Sequence, residues 1–216
     1  FRKQLIRRIS YRVYKCYFFS MNNSNHSNIL IIGGGCAGIS VATRLKSLKS
    51  DLTISIIEPS EKSLYQAAWT LVGAGAYDVD STIKPMSSVM PSFVNWIKEY
   101  AESFTPESNS VKTSSGEYSY DYLVVCPGLK LNFDGVAGLK ESLGKNNVCT
   151  NYSADMAVYT WECLKNVSGG SLLFTEPPMP IKCAGAPQKI AYLAADHLKK
   201  KGFLKDSNLE FLLAKP

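Results

Sequence analysis

No stretch of this sequence approaches the ~18–20 consecutive apolar residues that a membrane-spanning helix needs. Any membrane contact is therefore expected to come from partners or from sequence beyond these residues. The six cysteines (Cys16, Cys36, Cys126, Cys149, Cys163 and Cys183) include no Cys-x-x-Cys pair, which argues against zinc ribbons and thioredoxin-like motifs. A disulfide-stapled secreted scaffold is also disfavoured at this size. Histidine is scarce, and His197 has no second ligand at metal spacing, so no metal site is expected and His197 reads as a surface residue. Acidic residues are absent from positions 1–20. There Arg2, Lys3, Arg7, Arg8, Arg12 and Lys15 account for the whole net charge of +6. The rest of the chain is balanced, so the basic excess describes a leader and gives no warrant for a nucleic-acid surface. Internal repeats are lacking too.

Two readings of residues 1–20 stand. On a helical wheel Leu5, Ile6, Ile9, Val13 and Tyr17 share one side, and most of the basic residues take the other. That amphipathic, Arg-rich, acid-free pattern suits a mitochondrial presequence. Alternatively Met21, at the head of a polar run ending at Ser27, is the true start. The sequence opens on Phe1 rather than Met, so an incomplete or processed N-terminus is expected. Beyond the leader, a composition with 45% hydrophobic and 19% charged residues supplies a substantial core.

Asn28-Ile-Leu-Ile-Ile32 is a continuous β-branched apolar run, the pattern of a strand covered on both faces. It leads into Gly33-Gly-Gly-Cys36-Ala37-Gly38, and a helical segment, Ile39–Lys46, follows. A second apolar run, Leu52–Ile57, ends at Glu58. Strand, glycine turn, helix and an acid about twenty residues on form the dinucleotide-binding fingerprint. Gly33 permits the tight turn, Gly35 lets a pyrophosphate approach the backbone, and Gly38 allows close helix–strand packing. The helix N-terminus offers free N–H groups and positive dipole to the phosphates. Glu58 accepts hydrogen bonds from the adenosine ribose, and its charge repels a 2′-phosphate. Cys36 reads as a small neutral filler of the turn.

A third strand is expected at Phe93–Ile97, with the backbone at Ala101 close to the adenine. Tyr118–Cys126 is a further strand, closed by Pro127-Gly128. In FAD-dependent disulfide-reductase-like flavoproteins a similar strand ends in a small residue plus glycine that closes on the flavin. This likeness shifts the expected cofactor from NAD to FAD and adds Gly128 to its contacts. Cys126 stands in the small-residue position and reads as a space filler. Between these motifs, Tyr65–Gly75 predicts a loop and a short small-residue helix that lets a flat ring system approach the backbone.

Trp69-Thr-Leu-Val-Gly-Ala-Gly75 and Lys182-Cys-Ala-Gly-Ala-Pro-Gln-Lys189 resemble the sulfide:quinone oxidoreductases, in the branch that includes the mitochondrial enzymes. The similarity runs over roughly residues 28–216. It implies an FAD enzyme, peripheral on the inner mitochondrial membrane or on a bacterial plasma membrane. Such an enzyme oxidises hydrogen sulfide and passes two electrons to a ubiquinone-type quinone. Cys183 matches one of the family's two redox cysteines, which begin as a disulfide or a sulfur-bridged equivalent. Hydrosulfide attack leaves a persulfide on one sulfur and a thiolate on the other, and glutathione or sulfite removes the sulfane sulfur. Glu58 and Gln66 match family FAD contacts, as do Cys36 and Ala37 through their backbone. Lys182 and the N–H groups of the turn are expected to favour a Cys183 thiolate. Many relatives carry proline where Ala67 stands.

The family is about twice as long as this chain, so a fragment is expected, with the second redox cysteine outside it. Cys163, on a helix predicted over Ala154–Lys165, reads as a packed thiol, and Cys149 is a weak stand-in for the missing partner. The predicted architecture is α/β. A Rossmann-like FAD-binding domain (first segment, 28–165) follows the leader (1–27). The beginning of a second Rossmann-like unit (166–216) comes next, with strand 171–175, helix 188–201 stopped by Gly202, and strand 208–214. Two alternatives remain. One is another quinone-linked flavoprotein, such as a type II NADH dehydrogenase. The other is a non-catalytic FAD-binding remnant.

Overall fold

A computed structural model describes residues 25–214; the basic leader, Met21 and Cys16 lie outside them. The first apolar run forms β1 (His26–Ile32), and Cys36–Leu48 forms α1. Then come β2 (Ile54–Ile57), β3 (Lys62–Leu64), α2 (Trp69–Gly73), β4 (Ile83–Pro85), α3 (Met86–Val89) and β5 (Val94–Ile97). Short strands β6 (Ser103–Thr105) and β7 (Ser110–Lys112) precede the long β8 (Glu117–Val125). The chain continues through α4 (Leu139–Ser142), α5 (Ala154–Lys165), β9 (Gly170–Glu176), α6 (Gly185–Lys201) and β10 (Ser207–Leu213).

The main sheet has the order β5-β2-β1-β8-β7-β6. Its first four strands are parallel, and β7 and β6 extend it antiparallel. Side chains of β1 alternate between two apolar layers, which is why its sequence is apolar without interruption. Ile29 and Ile31 join Ile54, Ile56 and the Ala42 face of α1. Leu30 and Ile32 join Ile57, Ile97, Val111 and Tyr120 on the opposite face. Burying each such side chain contributes about 1.5–3 kcal/mol. Exposed ion pairs such as Lys49–Asp51 and Lys98–Glu61 contribute about 0–1 kcal/mol each. The sheet core therefore dominates the stability of this region.

The architecture is the predicted α/β, Rossmann-like one. Several bounds move. The third strand starts at Val94, because the Val94 N–H turns back to the Pro91 carbonyl and leaves Phe93 outside the ladder. Helix α6 begins at Gly185 rather than Gln188, with Pro187 in its first turn, where its missing N–H costs nothing. It ends at Gly202, whose φ of 83° allows Gly202 and Phe203 to bond back to Lys199 and Leu198. Strands β9 and β10 pair in parallel around α6, in a two-stranded sheet separate from the main one. Helix α2 packs on α5 and α6, with Trp69, Val72 and Ala157 at the contact.

Candidate functional site

The ladder brings Ile32 opposite both Ile57 and Val125, and Ile57 opposite Ile97. The four parallel strands therefore finish level. Their continuations at Gly33, Glu58, Lys98 and Cys126 emerge along one edge of the sheet, where open α/β folds bind ligands.

Gly33 has φ +100°, and a side chain there would meet the Cys126 carbonyl oxygen at 2.2 Å. Its N–H donates to Ile57 O at 2.9 Å, and Cys126 N–H donates to Ile32 O at 2.9 Å. The end of β8 is thereby drawn against the turn. Cys126 is half-buried there; burial raises its pKa, and its Sγ lies 3.8 Å from Gly33 O, as a packed filler should. Gly38 is the packing glycine, since a Cβ there would sit 1.9 Å from Gly33 O. Gly35 differs from both. No atom lies within 4 Å of a Cβ built on it, so the space beside its backbone is open. Gly35 is the N-cap of α1, which has no side-chain cap and no acid in its first turn. Its uncapped amides and dipole suit an anion. Cys36 and Ala37 are exposed at this helix start. Cys36 is thus not wedged into the turn as a filler, because its side chain leaves the packed side of the helix.

Glu58 is half-buried, and its carboxylate braces the turn. Oε2 accepts from Gly34 N–H at 2.8 Å and Oε1 from Ser60 N–H at 2.7 Å. Its own carbonyl accepts from Trp96 Nε1 at 2.8 Å. Ala101, after β5, is half-buried against the Leu30 layer. Gly128 adopts φ +81° with open space at its Cα. An uncapped helix start, an open Gly35 and a positioned acid together fit a dinucleotide.

A second group of predicted residues meets at the turn between β9 and α6. Lys182 Nζ donates to Gln66 Oε1 at 2.8 Å, and lies 5.1 Å from the Trp69 ring and 5.2 Å from the Tyr152 ring. Burial lowers the Lys182 pKa, and the Cys183 sulfur opposes that shift. Tyr152 Oη donates to the Cys183 carbonyl oxygen at 2.9 Å. Burial pushes the Tyr152 phenol pKa up, with Cys183 and Glu176 adding to it. Cys183 is half-buried and unbridged. Tyr152 is the residue that sequence reasoning missed. Its bond crosses 31 positions, and nothing in its local pattern announces the partner.

Two expectations need correction. The space over Gly73 and Gly75 is not left for a flat ring. Side chains there would meet Asn151 Oδ1 at 2.1 Å and the Trp161 ring at 2.4 Å, so these glycines serve helix packing. His197 is not a surface residue. It is half-buried, edge-on to Trp161 at 5.1 Å, and its Nε2 is buried without a hydrogen-bond partner among the described residues. Cys149 and Cys163 are both unbridged and half-buried. Among the described residues no group of three or more His, Cys, Asp or Glu side chains is placed to hold a metal ion. No described helix is long and apolar enough to cross a membrane.

Residues 27–157 match the family described as pyridine nucleotide-disulphide oxidoreductase. The chain is 40% identical over 188 residues to the mitochondrial sulfide:quinone oxidoreductase of Mus musculus, a match covering 87% of this chain and 42% of that protein. It is 45% identical over 190 residues to the mitochondrial sulfide:quinone oxidoreductase of Dictyostelium discoideum, with the same two coverages of 87% and 42%. Among solved structures, the sulfide:quinone oxidoreductase of Aquifex aeolicus aligns with a TM-score of 0.72 at 29% identity, covering 89% of this chain and 44% of that one. The resemblance expected from the Trp69–Gly75 and Lys182–Lys189 segments is borne out. The chain spans less than half the length of the relatives it matches.

Proposed function

Because the chain belongs to the pyridine nucleotide-disulphide oxidoreductase family, we propose that it carries the FAD-binding segment and the sulfide-reactive cysteine of a sulfide:quinone oxidoreductase. The overall reaction is oxidation of hydrogen sulfide to protein-bound sulfane sulfur, with two electrons delivered to a ubiquinone-type quinone. The observation that supports it best is the setting of Cys183. The cysteine stands between β9 and α6 at the motif shared with the family, its carbonyl held by Tyr152 and its neighbour Lys182 held by Gln66.

The residues proposed for FAD are Gly33, Gly35, Gly38 and Glu58, the backbone of Cys36 and Ala37, and Gln66, Ala101 and Gly128. When bound, FAD supplies the two-electron acceptor. The α1 start neutralises the pyrophosphate, Glu58 orients the ribose while bracing Gly34, and Gly35 leaves room for the phosphates. Cys183 holds its sulfur in a bridge to a second cysteine that the resemblance puts outside these residues. Hydrosulfide breaks that bridge, leaving a persulfide on one sulfur and a thiolate on the other. Glutathione or sulfite then takes the sulfane sulfur. Residues 28–165 are assigned to the FAD domain and 166–216 to the start of the second Rossmann-like unit.

The proposed compartment is the mitochondrion, where the matched relatives reside by name, with peripheral attachment to the inner membrane. A type II NADH dehydrogenase would need a glycine-rich NADH loop after β9. Here Glu176 is followed by Pro177-Pro-Met-Pro180, a poor cradle for a pyridine nucleotide. The test is Cys183→Ser in the full-length, FAD-loaded protein. It is expected to abolish sulfide-dependent quinone reduction while the flavin stays bound. Undiminished reduction would remove Cys183 from the reaction, and a flavin-loaded protein with Cys183 intact that reduces no quinone with sulfide would favour the non-catalytic remnant.

A further inference from the structure

The segment before α5 runs alongside that helix. Asn147 N–H donates to Tyr159 Oη at 3.3 Å, and Thr160 Oγ1 reaches the Thr150 carbonyl at 3.4 Å. Cys149 lies between these two anchors. Cys163 stands one turn beyond Tyr159 on the same face of the helix. These anchors set Cys149 beside the face of α5 that carries Tyr159 and Cys163. Cys163 also lines a small open cleft with Asn147, Tyr159, Glu162 and Asn166. Burial, with Cys163 adding to it, raises the Cys149 pKa. Of the two half-buried thiols, Cys163 is the one that lines the cleft.

We infer that Cys149 and Cys163 form a second thiol–disulfide site, distinct from Cys183, which a small organic disulfide such as oxidised glutathione converts to an intramolecular bridge. The Cys163 thiolate attacks one sulfur of the small disulfide. The sulfur–sulfur bond of that reagent breaks, a mixed disulfide forms on Cys163, and one small thiol leaves with the proton. The Cys149 thiolate then attacks the Cys163 sulfur, forming the protein disulfide and expelling the second small thiol. Two protein thiols lose two electrons and two protons, and the reagent gains them as two thiols.

The consequence reaches Cys183 through the chain itself. The segment that starts at Cys149 also carries Asn151, seated against Gly73, and Tyr152, bonded to the Cys183 carbonyl. Bridging Cys149 to Cys163 ties that segment to α5. The site needs neither sulfide nor flavin to form, so it stands or falls apart from the proposed reaction.

The test uses the full chain with Cys183→Ser, treated with oxidised glutathione, alkylated, and analysed by intact mass and peptide mapping. The expected result is a peptide pair bridged at Cys149–Cys163, two fewer alkyl labels, and no glutathione kept at either position. Adding Cys149→Ser should strand glutathione on Cys163 as a stable mixed disulfide. The same treatment in denaturant should lose the preference for this pair. Glutathione retained on Cys163 while Cys149 is present would overturn the inference. So would separate alkylation of both cysteines, or equal bridging in denaturant.

Discussion

The Tyr152 hydroxyl holds the carbonyl oxygen of Cys183 at 2.9 Å while its ring lies 5.2 Å from the Lys182 ammonium. One side chain from the loop before α5 thus fixes two consecutive residues of the turn between β9 and α6. Tyr152→Phe keeps the ring and removes only the hydroxyl. Loss of this bond costs about 1 kcal/mol, which corresponds to roughly five- to tenfold in rate if the turn must be held for reaction. Flavin content should stay unchanged and sulfide-dependent bleaching should slow by that factor, followed by rapid mixing. An unaltered rate would show that the bond has no part in positioning Cys183.

Gly35 and Gly38 separate binding from folding. Gly35→Val places its side chain in open space, so the thermal transition should hold while flavin absorbance per chain is lost. Gly38→Ala drives a methyl to 1.9 Å from Gly33 O, and overpacking of this kind costs about 1–3 kcal/mol. Its melting temperature should fall. Stoichiometric flavin in Gly35→Val would move the pyrophosphate elsewhere.

Glu58→Gln exchanges one acceptor oxygen for a donor NH2 facing either Gly34 N–H or Ser60 N–H. An unsatisfied donor of this sort costs about 1–3 kcal/mol. Both denaturant stability and flavin affinity should drop, the first even without cofactor. Measuring the two on the same preparation checks it, and a loss confined to flavin affinity would mean that the brace on the turn is dispensable.

His197 predicts the pH response of the α5–α6 contact. Burial lowers its pKa below 6.5, with Lys201 and Lys200 adding to the effect. Between its folded pKa and 6.5 the unfolded chain binds more protons, so stability rises with pH across that window. The cost is complete below the folded value and gone above 6.5. His197→Phe should flatten this part of the profile, read as the urea midpoint against pH. An unchanged slope would place the titration elsewhere.

Periodicity and turn chemistry reveal a good deal of this molecule. The uninterrupted apolar character of Ile29–Ile32 marks a strand between two layers, and the spacing of Gly33, Gly35, Gly38 and Glu58 marks the turn. The bounds of α5 and the stop at Gly202 are likewise local and legible. What stays hidden depends on distant partners. Lys182 meets Gln66 across 116 positions, and His197 is covered by Trp161 of another helix. Gly73 and Gly75 look like room for a ligand until Asn151 and Trp161 are seen to fill it. Three-residue strands such as β6 and β7 are too short to show any period.

Because Ile32, Ile57, Ile97 and Val125 share one transverse row of the sheet, the loops beyond them are indexed to one another. Shortening β1 by a single residue would shift the glycine turn by about 3.3 Å and swap its neighbours between the two layers. Every named side chain would survive, yet none would face its ligand atom. Natural length variation in this protein is therefore expected in the connecting segments, with the four central strands held to constant length.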